Sequence, residues 1–188
     1  MISSDCHAGA LPEMYNAYMD PKYHNAANDW WLVYAREQMQ RLGTFFDQEA
    51  VAEFENMAGD DGHGRFNADK MTKANEASDE DLWNFLCDPE SIIAPRKGEY
   101  DAAARLKELE DDGIAGEVIF PQMAPFGAGL IQYRHDVDPE HNLAGNRAYN
   151  RWLADLCNKN PGRHAGVAVI NVDDIAVSVR EIRDAHAM

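Results

Sequence analysis

Long apolar runs are missing from this sequence, although 45% of its 188 residues are hydrophobic. No stretch approaches the roughly 20 consecutive apolar residues that a membrane-spanning helix needs. The N-terminus also lacks the basic start and apolar segment of a secretory signal. The sequence therefore predicts a globular protein in the cytoplasm, with no membrane partner.

Positive charge is scarce as well, since 17 lysines and arginines stand against 33 aspartates and glutamates and give a formal net charge of -16. Such a surface repels polyanions, so nucleic acid is not expected as a partner.

Cysteine is equally sparse: Cys6, Cys87 and Cys157 lie far apart and form no C-x-x-C pair. This spacing predicts reduced, buried thiols instead of a disulfide framework or a zinc knuckle.

Strand and helix patterns alternate along the chain. Short apolar runs predict a strand at the opening and buried strands around Val118 to Phe120 and over "HAGVAVINV" (164–172). Helical patterns cover 29–57 and the segment "EYDAAARLKELEDDG", in which Ala103, Leu106 and Leu109 have helical spacing and Gly113 is the left-handed residue that ends the helix. The next helix runs from the Asp138–Pro139 cap to Asn160, with an apolar stripe of Ala144, Ala148, Tyr149, Trp152, Leu153 and Leu156. A last helix is capped by Asp173 or Asp174 and has Ile175, Val179 and Ile182 on one face. This alternation predicts an α/β fold with a parallel sheet.

The region between the first strand and the next regular helix has a different character. A breaker-poor helical stretch is followed by "GDDGHGRFNADKMTKANEASDED", which is polar throughout. We interpret about 22–98 as a helical and polar insertion within one domain that spans 1–188.

Two parallel-sheet architectures compete. A doubly wound sheet usually carries a G-x-G-x-x-G turn after its first strand, and here that strand ends in "DCHAG". The alternative is a (β/α)8 TIM barrel, in which catalytic groups lie at the carboxyl ends of the strands, where Asp5 and His7 would be.

Asp5 and His7 form the most suggestive constellation. Residues i and i+2 of a strand point to one side, so a carboxylate oxygen and an imidazole nitrogen can meet at one point, while Cys6 points away. Such donors suit a divalent metal, zinc first and manganese second. A capping aspartate beside a loop histidine explains the same triplet without a metal.

Other candidates carry less weight. The segment "PQMAPFGAG" follows the second strand, and loops there line the pockets of barrels, so Gln122 and Phe126 are predicted to contact substrate. His135 and His141 are six residues apart, which fits neither strand nor helix ligand spacing, and we interpret both as surface residues. His63 lies in "DDGHG", which lacks the pattern of a calcium loop, so we expect it to be exposed.

Four segments in order, "ISSDCHAG", "MDPKYH", "RLKELEDDGIAGEVIFP" and "NRAYNRWLADLCNKNPGRHAGVAVI", give the sequence a family likeness. It resembles the amidohydrolase-related, metal-dependent hydrolases of the aminocarboxymuconate-semialdehyde decarboxylase type. That resemblance implies a distorted TIM barrel with one divalent metal ion, of which Asp5 and His7 would be ligands. It further implies a later histidine and a later catalytic aspartate, which would lie beyond Met188.

The resemblance thus implies the N-terminal portion of an amidohydrolase-like barrel. The expected activity is that of a metal-dependent hydrolase or a non-oxidative decarboxylase, a carboxy-lyase, acting on a small organic acid, lactone or amide. We expect a homo-oligomer. The alternative hypothesis is an inactive α/β fragment that acts only as a binding or assembly module through its sheet edge.

Overall fold

A computed structural model of the protein describes residues 1–45, 76–88, 91, 94–127 and 137–188, without the side chains of 42–45. The strands are β1 (Ile2–Ala8), β2 (Gly116–Pro121) and β3 (His164–Gly166), and the α-helices are α1 (His24–Phe45), α2 (Asp79–Cys87), α3 (Lys97–Tyr100), α4 (Ala102–Asp111), α5 (Pro139–Asn158) and α6 (Ile175–Ala187). Within these ranges no helix has the length and apolar character needed to cross a membrane.

The chain divides into two compact units. The first unit comprises Met1–Ala27 and Pro95–Met188, and the second comprises Asn28–Ala94. The second unit falls inside the span of 22–98 that the sequence predicts as an insertion. Of the predicted helix over 29–57, the part up to Phe45 is present in α1, which begins at His24; the remainder and most of the polar excursion lie outside the described residues.

The sheet of the first unit is parallel, and its spatial order β1-β2-β3 follows the chain. The predicted α/β class with a parallel sheet is therefore confirmed. The third strand is shorter than predicted, because only His164–Gly166 pair with β2. The backbone N–H of Val167 still donates to the Ile119 carbonyl oxygen at 2.8 Å, and beyond Val167 the chain no longer pairs with β2.

Helices cover one face of this sheet. Glu117 and Ile119 of β2 are buried, and their partners across the ladder are His164 and Gly166 of β3. Glu117 faces Arg105 of α4, and a methyl group on Gly166 would lie 2.8 Å from Leu153 of α5. The opposite face carries Phe120, which is 37% exposed. Phe120 was predicted to lie in a buried strand, and this expectation is wrong.

Helix α5 contributes more buried hydrophobic side chains to the first unit than any other described element. Asp138 caps it through the amide nitrogens of Glu140 and His141, and Pro139 occupies its first turn, as predicted. Its predicted apolar stripe is confirmed, since six side chains are buried: Ala144, Ala148, Tyr149, Trp152, Leu153 and Leu156. The side-chain amide of Asn150 on the same helix is also buried. Its Nδ2 donates to the Val169 carbonyl oxygen at 2.9 Å, and its Oδ1 accepts from the Val169 backbone N–H at 2.8 Å.

Helix α4 buries only part of the face that apolar spacing suggests, and α6 leaves that face exposed. In α4 the buried residues are Arg105 and Leu109, while Ala103 is exposed. Gly113 follows with φ of 68°, the left-handed conformation predicted for the residue that ends the helix. In α6 only Glu181 is buried, and Asp174 is the residue that caps it.

The second unit is built around aromatic side chains of α1. Trp31 is buried, and the ring of Trp30 stacks on that of Tyr34 with centroids 5.3 Å apart. Ser78 and Asp81 form a capping box at the start of α2. The Arg36 guanidinium donates to the Ala77 carbonyl oxygen at 3.3 Å, so the start of α2 is held to α1.

Candidate metal site

Asp5 lies where β1 departs from regular pairing. The register with β2 shifts between Ser3 and Cys6, so β1 contains one residue more than its partner there. Bulges of this kind redirect side chains and are frequent near active sites. The Asp5 Oδ1 atom is 3.5 Å from the Nε2 atom of His7, and both side chains are accessible to solvent. The structure therefore brings together the two residues that the sequence predicts as ligands.

The imidazole of His7 is held from its other side. Its Nδ1 atom lies 3.1 Å from the carbonyl oxygen of Pro121, at the end of β2. A carbonyl can only accept, so this contact places the ring proton on Nδ1 and leaves the Nε2 lone pair on the side of Asp5. Histidine ligands of metals are commonly oriented by such a carbonyl.

These two donors fit one divalent ion in part. An unprotonated Nε2 atom and a carboxylate oxygen are suitable ligands for zinc or manganese, and their separation lets one ion contact both. In the part of the chain that the structure describes, no third histidine, cysteine, aspartate or glutamate joins them in a group of three. Asp5 and His7 could therefore supply two ligands, and the rest of the coordination shell would come from elsewhere.

Cys6 lies on the opposite face, as strand alternation predicts. Its Sγ atom is 3.0 Å from Ser3 Oγ, and its thiol lies near the carboxylate of Glu117. Burial raises the pKa of the Cys6 thiol. All three cysteines are free thiols, as predicted, but each is half-buried instead of fully buried.

Behind the candidate ligands lies a buried ionic cluster of Arg105, Glu117 and His164. The Arg105 guanidinium binds both oxygens of Glu117, at 2.6 and 2.8 Å, and His164 Nδ1 is 2.8 Å from Glu117 Oε1. The side chains of His164 and Glu117 are 0% and 1% exposed. Because a buried carboxylate needs compensating charge and hydrogen bonds, this cluster is the electrostatic core of the first unit.

The same arginine connects the cluster to the candidate site. Arg105 Nη1 donates to the carbonyl oxygens of His7, at 3.1 Å, and Gly98, at 2.9 Å. Residue 98 precedes Glu99, whose Oε2 atom is buried and has no hydrogen-bond partner among the described residues. Burial raises the pKa of Glu99, and the nearby charges of Arg96, Arg105 and His7 oppose that shift.

The predicted substrate residues follow β2 but differ in environment. Gln122 is half-buried, and its backbone N–H donates to the Ala8 carbonyl oxygen at 3.1 Å, which places the residue beside the end of β1. Phe126 is 2% exposed, and its ring stacks on that of His141 with centroids 4.8 Å apart. The Phe126 ring would have to leave this stack to contact a substrate.

His141 was predicted to be a surface residue, and the structure places it differently. It is half-buried between Phe126 and Tyr23, whose ring lies edge-on to it at 5.7 Å. His63 and His135 lie outside the described residues. The packing of His141 explains its presence without any ligand role.

We expect stability to fall as the pH is lowered below about 6.5, the ordinary pKa of histidine. Burial lowers the pKa of His164 in the folded protein, so the unfolded chain binds the proton first. Burial alone would raise the pKa of Glu117, but bonds from Arg105, Cys6 and His164 lower it below 4.5 overall, which extends the loss to more acidic pH. Urea unfolding at pH 8, 6.5 and 5 measures this dependence.

The matched variant is His164→Asn. Its amide can still donate to Glu117 from the position of Nδ1, but it does not titrate. The decline between pH 7 and pH 5 should be smaller in this variant than in the wild type. Parallel pH curves for the two proteins would show that the titration of His164 makes no contribution.

Sequence reasoning missed Arg105 and Glu99. No local pattern marks either residue, because their significance depends on partners that are remote in sequence: Glu117 and His7 for Arg105, and His7 for Glu99.

Comparisons of the chain with models of known protein families, with curated proteins and with solved structures find no match.

Proposed function

We propose that this protein is a metal-dependent hydrolase or non-oxidative decarboxylase of the amidohydrolase type, acting on a small organic acid, lactone or amide. The observation that carries the proposal is the Asp5–His7 pair, with Oδ1 and Nε2 3.5 Å apart and Nδ1 of His7 directed to the Pro121 carbonyl. This is how a carboxylate and an oriented imidazole would share one metal ion.

The position of the pair in the sheet also supports the proposal. Asp5 and His7 lie toward the carboxyl end of β1, beside the end of β2, where parallel α/β enzymes carry their catalytic groups. The three strands are parallel and follow chain order, and helices cover one face of their sheet. Neighbouring strands of a TIM barrel have this arrangement. We therefore include an incomplete amidohydrolase-like barrel in the proposal.

Each residue then has a defined task. Asp5 and His7 would bind one divalent ion, zinc or manganese, while Pro121 holds the proton on Nδ1 of His7. When bound, such an ion either generates hydroxide from water or holds a substrate carboxylate. Gln122, beside the end of β1, would offer its amide to the substrate. Glu99 supplies a carboxyl group whose Oε2 atom is unpartnered among the described residues.

The direct test is a titration of the metal-free chain with zinc. Calorimetry measures the binding, and NMR monitors the imidazole of His7. We expect about one ion per chain, with the Nε2 resonance of His7 responding, and weak affinity because the described residues offer two ligands. Manganese should compete for the same site. A chain without saturable zinc binding would contradict the proposal and favour the alternative of a binding or assembly module.

Variants of the first strand give matched controls. Asp5→Ala and His7→Ala should each weaken zinc binding at least tenfold and abolish any metal-dependent turnover, while the fold remains intact because both side chains are exposed to solvent. Cys6→Ser changes the intervening residue on the other face and should retain binding. If Cys6→Ser abolished binding and His7→Ala did not, the assignment of faces would be wrong.

A further inference from the structure

Helix α6 presents an apolar stripe to solvent. Ile175, Val179 and Ile182 are spaced at i, i+4 and i+7, so they share one face, as the sequence predicts. They are 80%, 40% and 55% exposed, and Val172, just before the helix, is 68% exposed. Three turns of helix therefore leave large hydrophobic side chains uncovered, which is the signature of an interaction surface.

The opposite side of α6 accounts for its attachment to the first unit. Glu181 is 4% exposed and accepts from Arg147 of α5 at 2.7 and 3.0 Å. Ala185 and Met188 border a small cavity of about 150 Å³ against α5. The Glu181–Arg147 ion pair and the C-terminal end of the helix thus hold α6 to α5, while most of the stripe surface faces solvent.

The charges near the stripe of α6 differ between its two ends. Asp173 and Asp174 lie at the start of the helix. In the second half, Arg183 is exposed and lies about 80° around the helix from Ile175, so it flanks the stripe. Arg180 and Asp184 are about 140° and 180° from Ile175, which places both toward the other side of the helix.

We propose that the stripe of α6 (Ile175, Val179 and Ile182) binds the same stripe of a second copy, with the two helices antiparallel about a twofold axis near Val179. Ile175 then opposes Ile182 of the second copy, and the Val179 side chains oppose each other. Asp174 at the start of each helix then lies near Arg183 of the other. This inference is independent of the metal site.

Self-complementarity is what selects a second copy as the occupant. A twofold interface requires one surface to complement itself, and a stripe with acidic residues at its start and Arg183 beside its end does so when it pairs antiparallel. Antiparallel pairing also aligns the helix dipoles favourably. Arg183 beside the stripe locally relieves the repulsion between two acidic chains. Because the surface is small, the dimer should be weak and reversible.

Sedimentation equilibrium over a range of chain concentrations tests the proposal. We expect a reversible monomer–dimer equilibrium, which Val179→Asp should shift at least tenfold toward monomer by placing two carboxylates in contact. The matched control is Val33→Asp on α1, since Val33 is 58% exposed on a different helix. This control should dimerise like the wild type.

Charge reversal tests the orientation. Arg183→Glu should weaken dimerisation because it removes the attraction to the acidic start of the other helix. Lys107→Glu makes the same charge change at an exposed position of α4 and should have little effect. Equal weakening by both variants would show that only net charge matters and would overturn the antiparallel pairing.

Crosslinking tests the register. Mild oxidation of Val179→Cys should give a disulfide-linked dimer in higher yield than the wild type, whose half-buried native thiols set the background. Ile175→Cys alone should remain at background, because two copies of residue 175 lie at opposite ends of the pair. A monomer at all concentrations, a dimer unaffected by Val179→Asp, or efficient crosslinking of Ile175→Cys would each overturn the proposal.

Discussion

Substitution of Arg105 by leucine is expected to lower the free energy of unfolding by about 3–5 kcal/mol, the usual effect of removing one partner from a buried ion pair. Arg105 is 6% exposed and Glu117 is 3% exposed, so the carboxylate left behind cannot be solvated in place. The carbonyl oxygens of His7 and Gly98 lose their donor in the same substitution. Urea unfolding at pH 7 measures the change.

A double variant tests whether the unpaired carboxylate of Glu117 causes this loss of stability. Arg105→Leu combined with Glu117→Gln removes both charges, so it should be less destabilised than Arg105→Leu alone. Lys107→Leu provides the control on the same helix, and it should leave stability nearly unchanged because Lys107 is exposed. If the double variant were no more stable than Arg105→Leu, the unpaired carboxylate would not be the cause of the loss.

Replacement of Gly145 by alanine is expected to destabilise the protein by about 2 kcal/mol. In an exposed helix the same change normally stabilises by about 1 kcal/mol, because alanine has the higher helix propensity. Here the added methyl group would lie 2.1 Å from the Pro125 carbonyl oxygen, which belongs to the backbone and cannot rotate away. Overpacking of this kind costs about 1–3 kcal/mol, and a rigid neighbour favours the upper end.

The sign of the effect makes this prediction discriminating. Thermal unfolding followed by circular dichroism should show a lower midpoint for Gly145→Ala, together with a change in the near-ultraviolet signal of the buried Phe126 region. An increase in stability of about 1 kcal/mol would mean that helix propensity dominates and that α5 does not approach the turn at Pro125 as closely as the structure indicates.

The elements with strong local signals could be predicted from the sequence. The Asp138–Pro139 cap, the six buried apolar residues of α5 and the glycine after α4 were all predicted, because each is determined by residues within a few turns. In α4, Leu109 was predicted from its helical spacing and is buried, but the burial of Arg105 was not predicted. Arg105 is charged and is buried because it meets Glu117, twelve residues away. Long-range pairing overrides local patterning there.

The candidate site shows the same division. The i, i+2 spacing of Asp5 and His7 was enough to predict that their polar atoms meet, and the two lie 3.5 Å apart. The bulge in β1, the carbonyl of Pro121 on His7 and the carboxyl group of Glu99 depend on the neighbouring strand and on α3 and α4. Phe126, predicted beside substrate, has a φ of 58° and packs on a helix that begins thirteen residues later.

The amide of Asn150 has a consequence for the order in which the first unit forms. It bonds to both backbone groups of Val169, as a neighbouring strand would, although this part of the chain has left the ladder. Val169 therefore gains its protection from α5, whereas Val167 is still bonded to β2. The Val169 amide should exchange with deuterium only when α5 detaches, so its exchange rate reports helix docking. During refolding, protection at Val169 should follow that of β1 and β2.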